Sequence, residues 1–197
     1  MKTYRLSTAG RRTTIILLIG ALAIWGFALW SFGNTLGISY HPFFFWSTIK
    51  DSINQGLTIG QVIPALLMLV LIVATPLLVW NLLEEWAATY TPTEAGLRFE
   101  SLGICVIYPW PSIQRVQRVD DDSDEPIDEL YLADDHTDQI RNPFLRFLHA
   151  QAYGRQRLPI YAGLENRDEL LTEIRHRADL QGEEDQCELD RGAATNA

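Results

Sequence analysis

The sequence predicts a two-helix transmembrane hairpin followed by a small α+β domain. Three features carry that prediction: two long uncharged apolar runs, an abrupt change to short alternating segments rich in Asp and Glu, and one amphipathic pattern near the C-terminus. A net charge of −9 and a 47% hydrophobic content over 197 residues average two unlike halves. From Thr13 to Leu83 the ionisable side chains are Lys50 and Asp51, with His41 nearby. Beyond Glu84 there is Arg but no Lys, and acidic residues outnumber Arg about two to one. Such a surface excludes nucleic acid as a partner, because phosphates require a basic face.

Crossing about 30 Å of hydrocarbon takes roughly 20 apolar residues in a helix that satisfies its own backbone. Residues 13–32 and 59–83 meet this requirement, and the aromatic residues Trp25, Trp30, Trp80 and Trp86 lie toward helix ends, where amphipathic rings favour the interface. Lys2, Arg5, Arg11 and Arg12 form a basic segment, 1–12, before the first run. That run is too long for the core of a secretory signal and no convincing small-x-small cleavage site follows it before Tyr40, so it is expected to stay attached. The same basic residues place the N-terminus in the cytoplasm, and two crossings return the C-terminus there, giving a multi-pass protein of the cell membrane. Gly20, Ala23 and Gly26 are the candidate contact strip for the second helix, and Pro76 is expected to bend that helix. The external loop, 33–58, has Trp46, Ile49 and Ile53 at helical spacing, so Trp46 is a candidate contact with lipid or with another membrane subunit.

The domain is expected over 84–181 and a polar acidic tail over 182–197. Strands are read at Thr89–Thr91, Leu97–Glu100, Ile104–Tyr108, Leu130–Leu132 and Leu158–Tyr161, with a further strand after a turn or bulge in Trp110–Val119. Asn142-Pro143 opens a short helix. The closing helix spans Asn166 to Ala178, with Asn166 and Glu169 as a capping box and Leu170, Leu171 and Ile174 on one face. Cys105 is read as a small buried apolar residue, and Cys187 as an incidental thiol of the tail.

Three segments, TPTEAGLRFES, YPWPSIQRVQRV and RLPIYAGLENRDELLTEIRHRA, in this order after two membrane helices, resemble the bacterial pleckstrin-homology-like (PH-like) domains. The resemblance covers about half of the chain. It implies a split β-barrel capped by a C-terminal α-helix and used for binding or assembly. The basic first hairpin of lipid-binding PH domains is missing, since Glu94 and Arg98 stand there, so no phosphoinositide headgroup is expected.

Catalytic and metal patterns are weak. The run Asp120–Glu125 has Glu125 where a calcium loop needs Gly and Tyr131 where it needs Glu, so it reads as a solvated loop. Asp134, Asp135, His136 and Asp138 have no second His at helical spacing, and His41, His149 and His176 fall on a loop and on helix surfaces. No nucleophile elbow or phosphate loop occurs in the sequence, so no enzyme activity, metal or cofactor is expected. The candidate contact residues are Phe144, Arg146, Phe147 and Leu148, an apolar run among Arg141, Arg146, Arg155 and Arg157. The expected role is a membrane-tethered module that recruits or assembles proteins at the cytoplasmic face. The alternative is an accessory subunit docking through its helices and external loop.

Overall fold

The computed structural model describes residues 2–36, 59–119 and 127–179. The loop from 37 to 58 with Trp46, the acidic loop 120–126 and the tail with Cys187 lie outside the described residues. The chain divides into two compact units, one of Ile15–Leu82 and one of Met1–Thr14 with Leu83–Ala197.

Among the described residues, the first unit is built from two helices, α1 (Thr8–Leu36) and α2 (Ile59–Ala87), each longer than its apolar run. Both are long and apolar enough to cross a membrane. Their outward faces expose Ile16, Ile19, Phe27, Val70 and Val73, side chains that water does not stabilise. Pro64 and Pro76 both lie inside α2, which runs through them as one helix. The expected contact strip is corrected: Gly20, Ala23 and Gly26 are exposed, and a Cβ on either glycine would meet nothing within 4 Å. Covered positions of α1 include Ala21 and Ala28, with Leu18, Trp25 and Phe32 half-covered on the same side. Those of α2 are Ala65, Thr75 and Leu82, with Met68, Ile72 and Val79 half-covered. Both sets step by three and four residues, the heptad period at which one side of a helix stays turned toward a neighbour. Trp25 Nε1 donates to the Ile72 carbonyl at 3.2 Å, satisfying the indole inside an apolar unit.

Among the described residues, the second unit contains seven strands, β1 (Tyr4–Arg5), β2 (Thr89–Pro92), β3 (Gly96–Ser101), β4 (Ile104–Pro109), β5 (Ile113–Val119), β6 (Ile127–Leu132) and β7 (Arg157–Ile160). They form two antiparallel sheets, β1-β2-β3-β4 and β5-β6-β7, which do not close on each other. The remaining elements are α3 (Pro143–Tyr153) and α4 (Arg167–Arg177).

The N-terminal basic segment is the largest departure from expectation. Tyr4 pairs with Tyr90 and Arg5 with Thr89, so β1 is the edge strand of the first sheet, and both membrane-length helices are inserted between β1 and β2. Tyr4 and Leu6 are buried, Leu6 bridges Leu164, and Glu165 N–H donates to the Arg5 carbonyl. Two residues of strand carry no period that a sequence pattern can reveal.

Alternation in β4 buries Ile104, Val106 and Tyr108 and turns Cys105 outward, correcting its expected burial. Gly96 is required because a Cβ there would lie 2.1 Å from the Tyr108 carbonyl oxygen. A bulge between Ile113 and Arg115, after a 3-10 turn at Trp110–Ser112, puts Ile113 and Val116 opposite the buried Leu132 and Leu130 on one face, whereas Val119 pairs with exposed Ile127 on the other. β6 begins at Ile127, earlier than expected, because Asp128 is buried against Arg167 and Arg118 instead of belonging to the acidic loop. In α4, Leu170, Leu171 and Ile174 are buried as expected, but the capping box is absent. Asn166 has left-handed backbone angles and its side chain caps nothing, while Glu169 pairs with Lys2.

Candidate functional site

α3 is positioned from both ends. Asn142 Oδ1 accepts from Phe144 N–H at 2.9 Å, Pro143 occupies the first turn, where no amide partner is needed, and Gly154 ends the helix at φ 82°. This orientation separates the predicted contact residues. Phe144 and Phe147, 64% and 61% exposed, stand together on the outer face. Leu148 is buried, and Arg146 is half-buried, its guanidinium donating to the Ile140 and Asp138 carbonyls. Arg146 thus fastens α3 to the preceding turn, and two bulky aromatic side chains remain in solvent.

The inner face of α3 holds a group that the sequence reading misplaced. His149 is 1% exposed, not on the helix surface. Its Nδ1 lies 2.5 Å from Oε1 of Glu84, a carboxylate fully removed from solvent, and its Nε2 lies 3.4 Å from the Tyr108 hydroxyl. Nδ1–H donating to the carboxylate leaves Nε2 to accept from Tyr108, so one neutral tautomer satisfies the chain. The Glu84 carbonyl accepts from Ser101 Oγ at 2.7 Å. Phe99 and Tyr153 pack on the imidazole, with ring centroids 5.7 and 5.3 Å away, and Tyr153 shares a hydroxyl hydrogen bond with Tyr161. A signal for this burial was present: Leu145, Leu148 and Ala152 lie one helical step from position 149 and mark the covered face. Glu84 gave none, because its partner is 65 positions away.

Burial raises the pKa of the tyrosines in this cluster. Tyr90 and Tyr161 are pushed well above 10.0 by desolvation, and Tyr108 and Tyr153 by desolvation and then by Glu84. A raised pKa stabilises the fold fully below the unfolded value near 10 and progressively less above it. The expected result is cooperative alkaline unfolding that starts above about pH 10. Phenolate absorbance should rise together with loss of sheet signal, whereas independent titration near pH 10 in a folded chain would contradict it.

Within Asp134–Asp138, the Asp135 and His136 side chains are committed to local structure. Asp135 Oδ1 accepts from the Thr137 amide at 2.9 Å and hydroxyl at 2.6 Å, and His136 Nε2 lies 2.7 Å from Ser112 Oγ. Burial works against the Asp135 carboxylate, but Thr137 and then Arg155 outweigh it and hold its pKa below the usual value. These groups fix a 3-10 turn at Thr137–Gln139 beside β4, whose Ile107 amide donates to Gln139.

No family model, curated protein or solved structure matches this chain. The functional reading therefore rests on its own geometry.

Proposed function

We propose that the chain is a two-span membrane protein whose folded domain recruits or assembles proteins at the cytoplasmic face, docking through the outer face of α3. The observation that carries the docking reading is the exposed Phe144–Phe147 pair, held on a helix whose cap, Arg146 anchor and buried His149 leave it little freedom. Preorganised aromatic side chains lose little entropy on association and make strong anchors.

The two-span reading is supported by pairing within one sheet. β1 precedes α1 and β2 follows α2, yet Tyr4 pairs with Tyr90, so the segments flanking the two helices fold on the same side of any membrane. The basic residues before α1 favour the cytoplasm for that side. A four-stranded and a three-stranded antiparallel sheet followed by a C-terminal helix is the element order that a PH-like reading needs.

The test places a photoreactive amino acid at Phe147 in the full chain in living cells, with a control at exposed Thr172. A discrete protein adduct from position 147, lost on Phe144→Ser and retained when residues 15–82 are replaced by an unrelated two-span hairpin, is expected. Loss of the adduct with the hairpin exchange would transfer docking to the helices and their loop. Equal labelling from position 172 would remove α3 from the interaction.

A further inference from the structure

An open groove of about 890 Å³ lies over the three-stranded sheet, lined on β5, β6, β7 and the turn after α3 and by neither Phe144 nor Phe147. Its floor is one row of cross-strand neighbours. Arg115 is in register with Tyr131, and Tyr131 with Arg157, so the three side chains stand on the same face of adjacent strands. The guanidinium carbon of Arg115 lies 4.1 Å and that of Arg157 5.0 Å from the centroid of the Tyr131 ring. Arg155 joins them directly after Gly154, where the left-handed backbone ends α3 and turns the chain into β7.

The charge balance of this groove is opposite to that of the chain. Three arginines and one carboxylate, Asp135, line it in a protein of net charge −9. Asp135 reaches Arg155 only at 3.9 Å, and Glu129, outside the lining, reaches Arg157 at 3.4 Å. Arg115 meets no carboxylate among the described residues and is held by the tyrosine ring alone. Two forked guanidinium groups are thus fixed side by side by stacking, with one donor of Arg157 given to Glu129.

The geometry points to a binding site for a phosphate monoester dianion. Guanidinium forks pair bidentately with carboxylate and phosphate alike, so the number of acceptor oxygens decides between them. Three arginines line the groove against Asp135 and, on Arg157, Glu129. Their forks offer more donors than the two oxygens of a carboxylate accept, and a phosphate monoester presents three oxygens with about −1.5 to −2 of charge at neutral pH. Stacking on Tyr131 orders both arginines before the ligand arrives and lowers the entropy lost on binding. The groove volume lies within the range of about 300–1,000 Å³ typical of small-ligand sites, so the phosphate can carry a substituent. The site is independent of the α3 docking face and stands whether or not that reading holds.

The experiment titrates the full chain in phosphatidylcholine nanodiscs with inorganic phosphate and with glycerol 3-phosphate at fixed ionic strength, by calorimetry. Saturable binding of one equivalent is expected, about tenfold weaker in Arg115→Gln and in Arg157→Gln, and unchanged in Arg141→Gln. Arg115→Lys, which keeps the charge and loses the fork, should recover only part of the affinity. Acetate should bind at least about tenfold more weakly than phosphate. All variants change exposed side chains, and an unaltered melting temperature shows that each is folded. The absence of saturable binding, or the same affinity in Arg115→Gln and Arg157→Gln as in the parent, would overturn the site. Acetate binding as tightly as phosphate would overturn its dianion preference. Discs containing phosphatidic acid carry the same monoester on a lipid, with phosphatidylglycerol discs as a charge control. Glycerol 3-phosphate should bind equally in both, and a drop confined to phosphatidic acid would give the groove to a lipid headgroup and overturn the soluble ligand.

Discussion

Glu84→Ala is expected to destabilise the folded domain by about 3–5 kcal/mol, because it leaves His149 buried without its anionic partner. His149→Ala should cost a similar amount, since it strands a carboxylate fully removed from water. Either loss is a large share of the 5–15 kcal/mol that holds a typical domain together. The informative variant is the double replacement Glu84→Leu with His149→Leu. It removes the carboxylate and the imidazole together and fills the space with apolar groups, and it should recover most of the stability lost by either single change, as buried polar pairs exchanged for packed side chains commonly do. Thermal melting of the full chain in mild detergent, followed by near-ultraviolet circular dichroism, reads all three. A single variant melting within a degree or two of the parent would show that the pair is not a buried lock. A double variant no better than the singles would show that position or packing, and not charge pairing, sets the cost.

The second large effect is expected at α4. Leu170 and Ile174 are fully buried and Leu171 nearly so, so truncating Leu170 or Ile174 to Ala removes packed methyl groups and leaves a cavity that the surrounding strands close only in part. Each should cost roughly 2–5 kcal/mol, whereas His176→Ala on the exposed side should stay within about half a kcal/mol. The same melting measurement decides. If Ile174→Ala is neutral, the helix does not close the domain, and the capped-barrel reading loses its support. The missing cap sharpens the point. Asn166 in a left-handed conformation contributes no side-chain hydrogen bond, so α4 depends on its buried face and on Glu169 with Lys2 more than its sequence suggested.

The correction at Cys105 shows how far local pattern reaches. Composition favours burial for a free cysteine, but the alternation of β4 had already been read at Ile104 and Tyr108, and a period of two places position 105 outward whatever its residue type. The strand pattern was the stronger signal, and the residue preference was the weaker one. The early start of β6 has the reverse character. Asp128 follows an acidic run and looks like its continuation, and Arg167, 39 positions away, together with Arg118 on the paired strand, makes it an interior residue.

By itself the sequence determined what depends on neighbours within a few positions. The two apolar helices, β2 to β4, the bulged β5, the Asn142-Pro143 start of α3 and the buried face of α4 all follow from hydrophobic period, proline and turn chemistry, which act locally. The tertiary structure alone decided the features whose partners are distant. β1 is two residues long and exists only because Tyr90 lies opposite Tyr4, with both apolar helices between them in sequence. The Glu84–His149 lock joins the end of α2 to the inner face of α3, and neither residue's burial has meaning without the other. The arginine groove needs the register of β5, β6 and β7, because Arg115, Tyr131 and Arg157 come from three separate segments and become neighbours only when those strands pair. Charge and burial are properties of proximity in space, and in this chain the residues that share them are separated by the loops that folding brings together.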